Sequence, residues 1–119
     1  VRNFLCGMAV GFDLLAAESV LKVKKELPYI MLTAVVPFRI QYERWAEKEK
    51  LRYHSIISRA DKVVVLNEHY YNGCLLRRND YMLSHCNGVI AYYDGIPKGG
   101  TYYTIRKARL MKLPVLNLF

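Results

Sequence analysis

No stretch of this chain stays apolar for the roughly 18 residues that a bilayer-spanning helix needs, so no membrane partner is expected. Cysteine is sparse and poorly spaced for chemistry. Cys6, Cys74 and Cys86 cannot all pair internally, and no C-x-x-C pattern for a metal or redox pair occurs. Reduced, mostly buried thiols are the expectation. His54, His69 and His85 are equally scattered, with no metal-ligand spacing, so neither a metal nor a cofactor is expected. No G-x-S-x-G or comparable nucleophile motif is present. The opening "VRNFLCG" lacks the charged start, long apolar centre and small-residue cleavage site of a secretory signal. With the thiols, this gives an expected cytoplasmic location. Linkers, low-complexity segments and internal repeats are also missing.

Acid is scarce beside base: 10 Asp and Glu against 18 Lys and Arg give a net charge of +8, which favours anionic partners. Much of that charge reads as solvated helix surface, as in "KVKKELP" and "IRKARLMKL". Ten tyrosines are many for 119 residues, and several sit near turns in "EHYYNGC", "AYYDG" and "TYYT". They could stack on a base, although half-buried packing with a wet hydroxyl is the commoner role.

An apolar share of 53% and this length fit one globular domain over residues 1–119. The periodicity alternates strand and helix. Strands are expected at 2–7, 29–37, 61–66, 88–93 and 114–119, and helices at 11–27, 40–58, about 73–86 and 101–112. In the second helix, Ile40, Trp45, Leu51, Ile56 and Ile57 are expected to form the inward side. Near-continuous apolar strands separated by helices mean a parallel sheet covered on both faces. The expected class is therefore α/β: a three-layer, Rossmann-like sandwich with a mostly parallel sheet of about five strands. Ligands of such sheets bind beyond the carboxyl ends of the strands.

Four loops follow those strand ends. "GMAVGFD", 7–13, has Ala9 where the middle glycine of G-x-G-x-x-G would stand. It is either a tight strand-to-helix turn or an anion site made by amides around Gly7–Gly11. Asp13 is either a first-turn acid favoured by the helix dipole or a group that holds a ribose hydroxyl or an attacking water. "DGIPKGGT", 94–101, places Gly99 and Gly100 just before a helix, with Lys98 adding charge. Thr101 is expected there as an N-cap or as a hydroxyl facing phosphate. Two such turns suggest a cradle built from two helix N-termini. "RRNDYM", 77–82, offers an arginine for bidentate phosphate binding, and Asn79 for a base edge or sugar. A solvated arginine pair with a capping Asn is the plainer alternative. In "PFRIQYERW", Phe38 and Trp45 could wall a base pocket or, seven apart on one helix side, belong to the core. Trp45 is expected in the core and the role of Phe38 stays open.

Several blocks occur together and in order: "CGMAVGFDLLAAE", "PF" with Gln41 and Trp45, "ADKVVVL", "YYNGCLLRRNDYM", "GVIAYYDG", "GGTYYT" and "LPVLNLF". Over nearly the whole chain they resemble the YpsA-like family of the SLOG superfamily of Rossmann-like proteins. Members usually begin with a strand carrying a Gly-His-Arg turn, followed by a helix. By that comparison the chain is expected to be truncated at its N-terminus, with the missing strand central in the sheet. The superfamily also includes LOG-type phosphoribohydrolases, which cut a nucleoside monophosphate into base and ribose 5-phosphate. "GMAVGFD" resembles their first turn. Arg78, Asn79 and Met82 match a second block, with Asn79 in place of a Lys. "KGGTYYT" resembles the third, but Thr104 stands where the catalytic Glu would be. Threonine can neither stabilise an oxocarbenium-like centre nor activate water.

The resemblance thus implies a nucleotide or nucleotide derivative as partner, bound by a sensor or regulatory module. Amides around Gly7, Ala9 and Gly11 and at Gly99, Gly100 and Thr101 would hold phosphate. Arg78 would pair with it, and Asp13 and Asn79 would contact sugar or base. An enzyme is the first competitor: a nucleotide hydrolase with Arg78 and Asp13 as catalytic residues. Single-stranded nucleic-acid binding ranks third, since DprA proteins share the superfamily fold while the basic residues here form no stripe. SLOG relatives are often dimers, so a homodimer is a further expectation.

Overall fold

The computed structural model describes residues 2–119. Elements follow in strict alternation: β1 (Asn3–Cys6), α1 (Phe12–Lys24), β2 (Met31–Val36), α2 (Glu47–Arg59), β3 (Lys62–Val65), α3 (Cys74–Ser84), β4 (Val89–Ala91), α4 (Gly99–Leu110) and β5 (Val115–Asn117). Every strand pairing is parallel. The α/β class and the element order are those that the sequence periodicity requires. The strands are shorter than their apolar runs, and they divide three and two among the described residues. One sheet has the order β1-β2-β3 and the other pairs β4 with β5. The chain correspondingly forms two compact units, Val1–Cys74 and Leu75–Phe119.

In the first unit β2 is the interior strand, paired on both edges, and its last three residues are all buried. That is why it reads as an unbroken apolar run. Helix α1 packs on β1, β2 and α2. Leu14 and Ala17 of α1, Leu32 and Ala34 of β2 and Ile56 of α2 meet in one core at 0% exposure. Burying a side chain the size of Leu or Ile contributes about 1.5–3 kcal/mol relative to leaving it exposed.

The expected helix at 40–58 is corrected. Residues 38–45 form successive tight turns, with Gln41, Glu43 and Trp45 amides donating to the carbonyls of Phe38, Ile40 and Tyr42. Ala46 is extended, and α2 starts only at Glu47. Phe38 and Trp45 therefore do not share a helix side. Trp45 still packs against the core, while Phe38 meets Tyr70 edge-to-face at 5.5 Å. Ile40 and Leu51 are exposed, against expectation. With Tyr53 and Ile56 facing inward, Leu51 lies about 200° around the helix from Tyr53 and points outward.

One carboxylate clips the starts of β2 and β3 together. The Asp61 side chain accepts the Leu32 amide at 2.8 Å, while the Asp61 amide donates to the Leu32 carbonyl at 2.9 Å. Lys24, at the end of α1, closes on the same carboxylate as an ion pair. The Lys24 hydrogen bond, followed by the Leu32 amide, holds the Asp61 carboxyl below its ordinary range. Arg52 joins α2 to α1 through Glu18 at 2.6 Å, and it lowers the Glu18 carboxyl in the same way. Both groups release protons more readily folded than unfolded, so the unfolded chain binds more protons through the acid range. Their stabilisation is complete above the ordinary carboxylate values, about 4. It is lost as pH falls through the lowered folded values. Urea midpoints measured from pH 6 down to pH 3 should fall, and Asp61→Asn should flatten part of that decline. An unchanged acid limb in the variant would remove Asp61 from this account.

Candidate functional site

Each unit carries one of the glycine-rich turns, and the two differ in charge. In the first unit the turn runs from the end of β1 into α1. Gly11 is the N-cap, at φ 99° and ψ −128°, a conformation essentially open only to glycine. Met8 is left-handed at φ 61° although it carries a side chain, and that side chain is fully buried. The surroundings hold this strained residue in place: Gln41 Nε2 donates to the Met8 carbonyl at 3.1 Å. The Cys6 thiol donates to the Asp13 carbonyl at 3.1 Å. The Ala9 amide donates to Asp13 Oδ2, also at 3.1 Å. Gly7, Ala9, Gly11 and Asp13 are thus brought together, with a carboxylate already at one of the amides. Asp13 Oδ1 carries none of the described hydrogen bonds.

The second turn, in the second unit, leads from β4 into α4 and contains no acid in the helix's first turn. Gly99 is at φ +91° with open space where a Cβ would stand. A Cβ on Gly100 would lie 3.5 Å from Asn79 Nδ2. Thr101 is not the N-cap: that position belongs to Lys98, in extended conformation, with no side-chain cap bond. The glycine pair lets the helix begin two residues earlier than expected and puts Thr101 inside the first turn. A cleft of about 290 Å³ opens here, lined by Tyr92, Tyr93, Asp94, Lys98, Gly99, Gly100, Thr101 and Phe119. An uncapped helix start carries about half a positive charge at its amides, and Lys98 adds a whole one.

Arg78 and Asn79 belong to this unit as well. Both are buried, at 7% exposure, and Arg78 Nε donates to Asn79 Oδ1 at 3.1 Å. A solvated arginine pair is therefore wrong for Arg78. Sequence reasoning passed over two supporting residues. Asp80 accepts from Tyr103 at 2.9 Å and from Lys107 at 2.7 Å, which pins α3 to α4. Asn117 exchanges two 2.9 Å hydrogen bonds with the Tyr93 backbone and so fixes the loop that walls the cleft. The available signal was a polar Asn inside the apolar "PVLNLF". The Tyr93 hydroxyl donates to the Ile96 carbonyl at 3.0 Å. Desolvation, with Tyr102 and Asp94 nearby, holds its pKa above the ordinary value.

Thr104, where LOG-type enzymes carry a carboxylate, lies in the second turn of α4. Among the described residues no group of three or more His, Cys, Asp or Glu is placed to hold a metal. No helix there is long and apolar enough to cross a membrane.

Residues 1–113 match the family model described as the YspA SLOG family. The chain is 32% identical over 111 residues to UPF0398 protein BH1768 of Halalkalibacterium halodurans, covering 92% of this chain and 59% of that protein. It is 32% identical over 105 residues to UPF0398 protein BBR47_29830 of Brevibacillus brevis, covering 83% and 56%. It is 28% identical over 119 residues to the SPbeta prophage-derived protein YoqJ of Bacillus subtilis, covering 90% and 69%. The chain thus spans less than two thirds of the first two relatives.

Proposed function

Because the chain belongs to the YpsA family of SLOG proteins, we propose that it binds a nucleotide or nucleotide derivative, in a sensing or regulatory role, with phosphate on the first turn of α4. One observation carries this reading: a glycine-opened helix start with no cap and no first-turn acid faces a cleft walled by Tyr92, Tyr93 and Phe119. The amides of Gly99, Gly100 and Thr101 would hold the phosphate, and Lys98 would offset its charge. Aromatic walls suit a base or sugar face. In the same reading Arg78 pairs with the phosphate and Asn79 contacts the sugar or base. The turn of Gly7, Ala9, Gly11 and Asp13 is a separate feature of the first unit. Its Ala9 amide already serves a carboxylate, so the start of α4, whose first helical turn contains no acid, is the better phosphate seat.

The test is calorimetric titration of the full-length protein with nucleoside monophosphates and ADP-ribose, followed by chromatography for free base. Native protein should bind at least one of them without base release. Gly100→Val should weaken that binding at least about tenfold, a loss of 1.4 kcal/mol, because its methyl groups cover the amides. The fold should survive, since the Cβ itself meets Asn79 only at ordinary contact distance. Binding by none of the panel would overturn the reading. Base release that disappears in Arg78→Ala would replace it with a hydrolase.

A further inference from the structure

A second cavity, of about 380 Å³, shares Tyr93 with the cleft and lies wholly within the second unit. Its lining is Tyr93, Tyr102, Ile105, Arg106, Arg109 and Leu110. Tyr102, Arg106 and Arg109 are spaced by four and then three residues, so all three project from one face of α4. No Asp or Glu occurs from Lys98 to Lys112. Lys107, on another face, is engaged by Asp80. Arg106 and Arg109 are exposed, and neither forms an ion pair or side-chain hydrogen bond among the described residues. Arg109 and Tyr93 line the same cavity, and Tyr93 is the wall common to both.

A basic helix face that only keeps a protein soluble is convex and solvated. Here two guanidinium-bearing side chains line a concavity, beside the Tyr93 and Tyr102 rings at 6.3 Å and 34°. Guanidinium forks match phosphate oxygens bidentately and stack on aromatic planes. Six to nine residues of helix separate Gly100 from Arg106 and Arg109, a rise of about 9–13 Å. One phosphate group cannot span that distance.

We propose that Arg106 and Arg109 hold a second phosphate, and that the ligand is a dinucleotide-sized molecule whose two phosphates lie at the first turn of α4 and between these arginines. This rests on the nucleotide reading of the cleft and names the ligand class. The aromatic body between the phosphates lies over Tyr93 and Tyr102.

The experiment titrates the full-length protein with AMP, with 5′-phosphorylated diadenylate and with a 20-residue oligothymidylate. Diadenylate should bind at least about tenfold more tightly than AMP, since each charge-assisted contact contributes roughly 1.5–3 kcal/mol. The Arg106→Ala/Arg109→Ala double variant should lose that advantage and leave the AMP affinity unchanged. Both residues are exposed, so the variant folds. AMP binding that depends on Gly100, with diadenylate no tighter, would overturn the second site and leave the nucleotide reading standing. Binding of neither AMP nor diadenylate would overturn the two-phosphate ligand, and failure of the whole panel of nucleoside monophosphates and ADP-ribose would overturn the nucleotide reading with it. Binding that strengthens steadily with chain length up to the 20-mer would overturn the discrete two-phosphate ligand in favour of nucleic acid.

Discussion

Tyr53→Ala is expected to destabilise the protein by about 3–5 kcal/mol, the cost typical of removing a buried aromatic side chain. Tyr53 is 4% exposed and sits at the centre of a ring cluster. Tyr42 lies 5.0 Å away, Trp45 meets it edge-on at 5.5 Å, and His54 meets it at 5.4 Å. Aromatic pairs of this kind add roughly 0.5–1.5 kcal/mol beyond the area they bury. Against a total stability of about 5–15 kcal/mol, the loss is a large fraction. Burial raises the Tyr53 pKa, and a hydrogen bond involving Gln41 opposes the shift. Gln41 also holds the carbonyl of strained Met8. The ring cluster is thereby wired to the first glycine turn. Tyr53→Phe separates the two roles: it keeps the packing and removes only the hydroxyl, at a cost of about 1 kcal/mol. Trp45, the sole tryptophan, sits in the cluster and reports urea unfolding by fluorescence. A Tyr53→Ala midpoint close to that of the native protein would contradict this packing.

Arg78→Met should lower nucleotide affinity by about 10–100-fold, the equivalent of roughly 1.4–2.8 kcal/mol. A buried guanidinium is expensive to desolvate, and in the proposed site a bound phosphate would offset part of that cost at Arg78, which is 7% exposed and bonded to Asn79. Methionine keeps most of the volume and removes the charge and the donors. It also leaves Asn79 Oδ1 without the Arg78 Nε–H, which costs about 1–3 kcal/mol of stability. Arg78→Ala adds a cavity and should unfold more readily still. Measuring binding where both variants remain folded separates the functions. If Arg78→Met binds nucleotides as the native chain does, Arg78 supports α3 and does not pair with phosphate.

The sequence alone carried the alternation of parallel strands and helices, the family, both glycine turns and the position of every element to within a few residues, except the start of α2. These follow from local periodicity, which each segment expresses without its neighbours. Even so, Leu51 and Ile40 show where periodicity misleads. An apolar residue faces inward only if the helix starts in the right place, and the turns at 38–45 rotate α2 relative to its apparent pattern. Residue type likewise did not separate Arg77 from Arg78, because burial is set by what packs against α3.

Tertiary structure decided the rest. Strand pairing joins residues far apart in the chain, so five expected strands could be counted while their division into three and two could not. The glycine turns look alike as sequence, yet a carboxylate folds back onto Ala9 in one, and the first helical turn of the other contains no acid. Arg106 and Arg109 read as solvated helix surface until the loop after β4 brings Tyr93 beside them. In each case composition set the available chemistry, and long-range packing set which groups face one another. Coulombic and hydrogen-bonding energies depend on that proximity, and no local pattern encodes it.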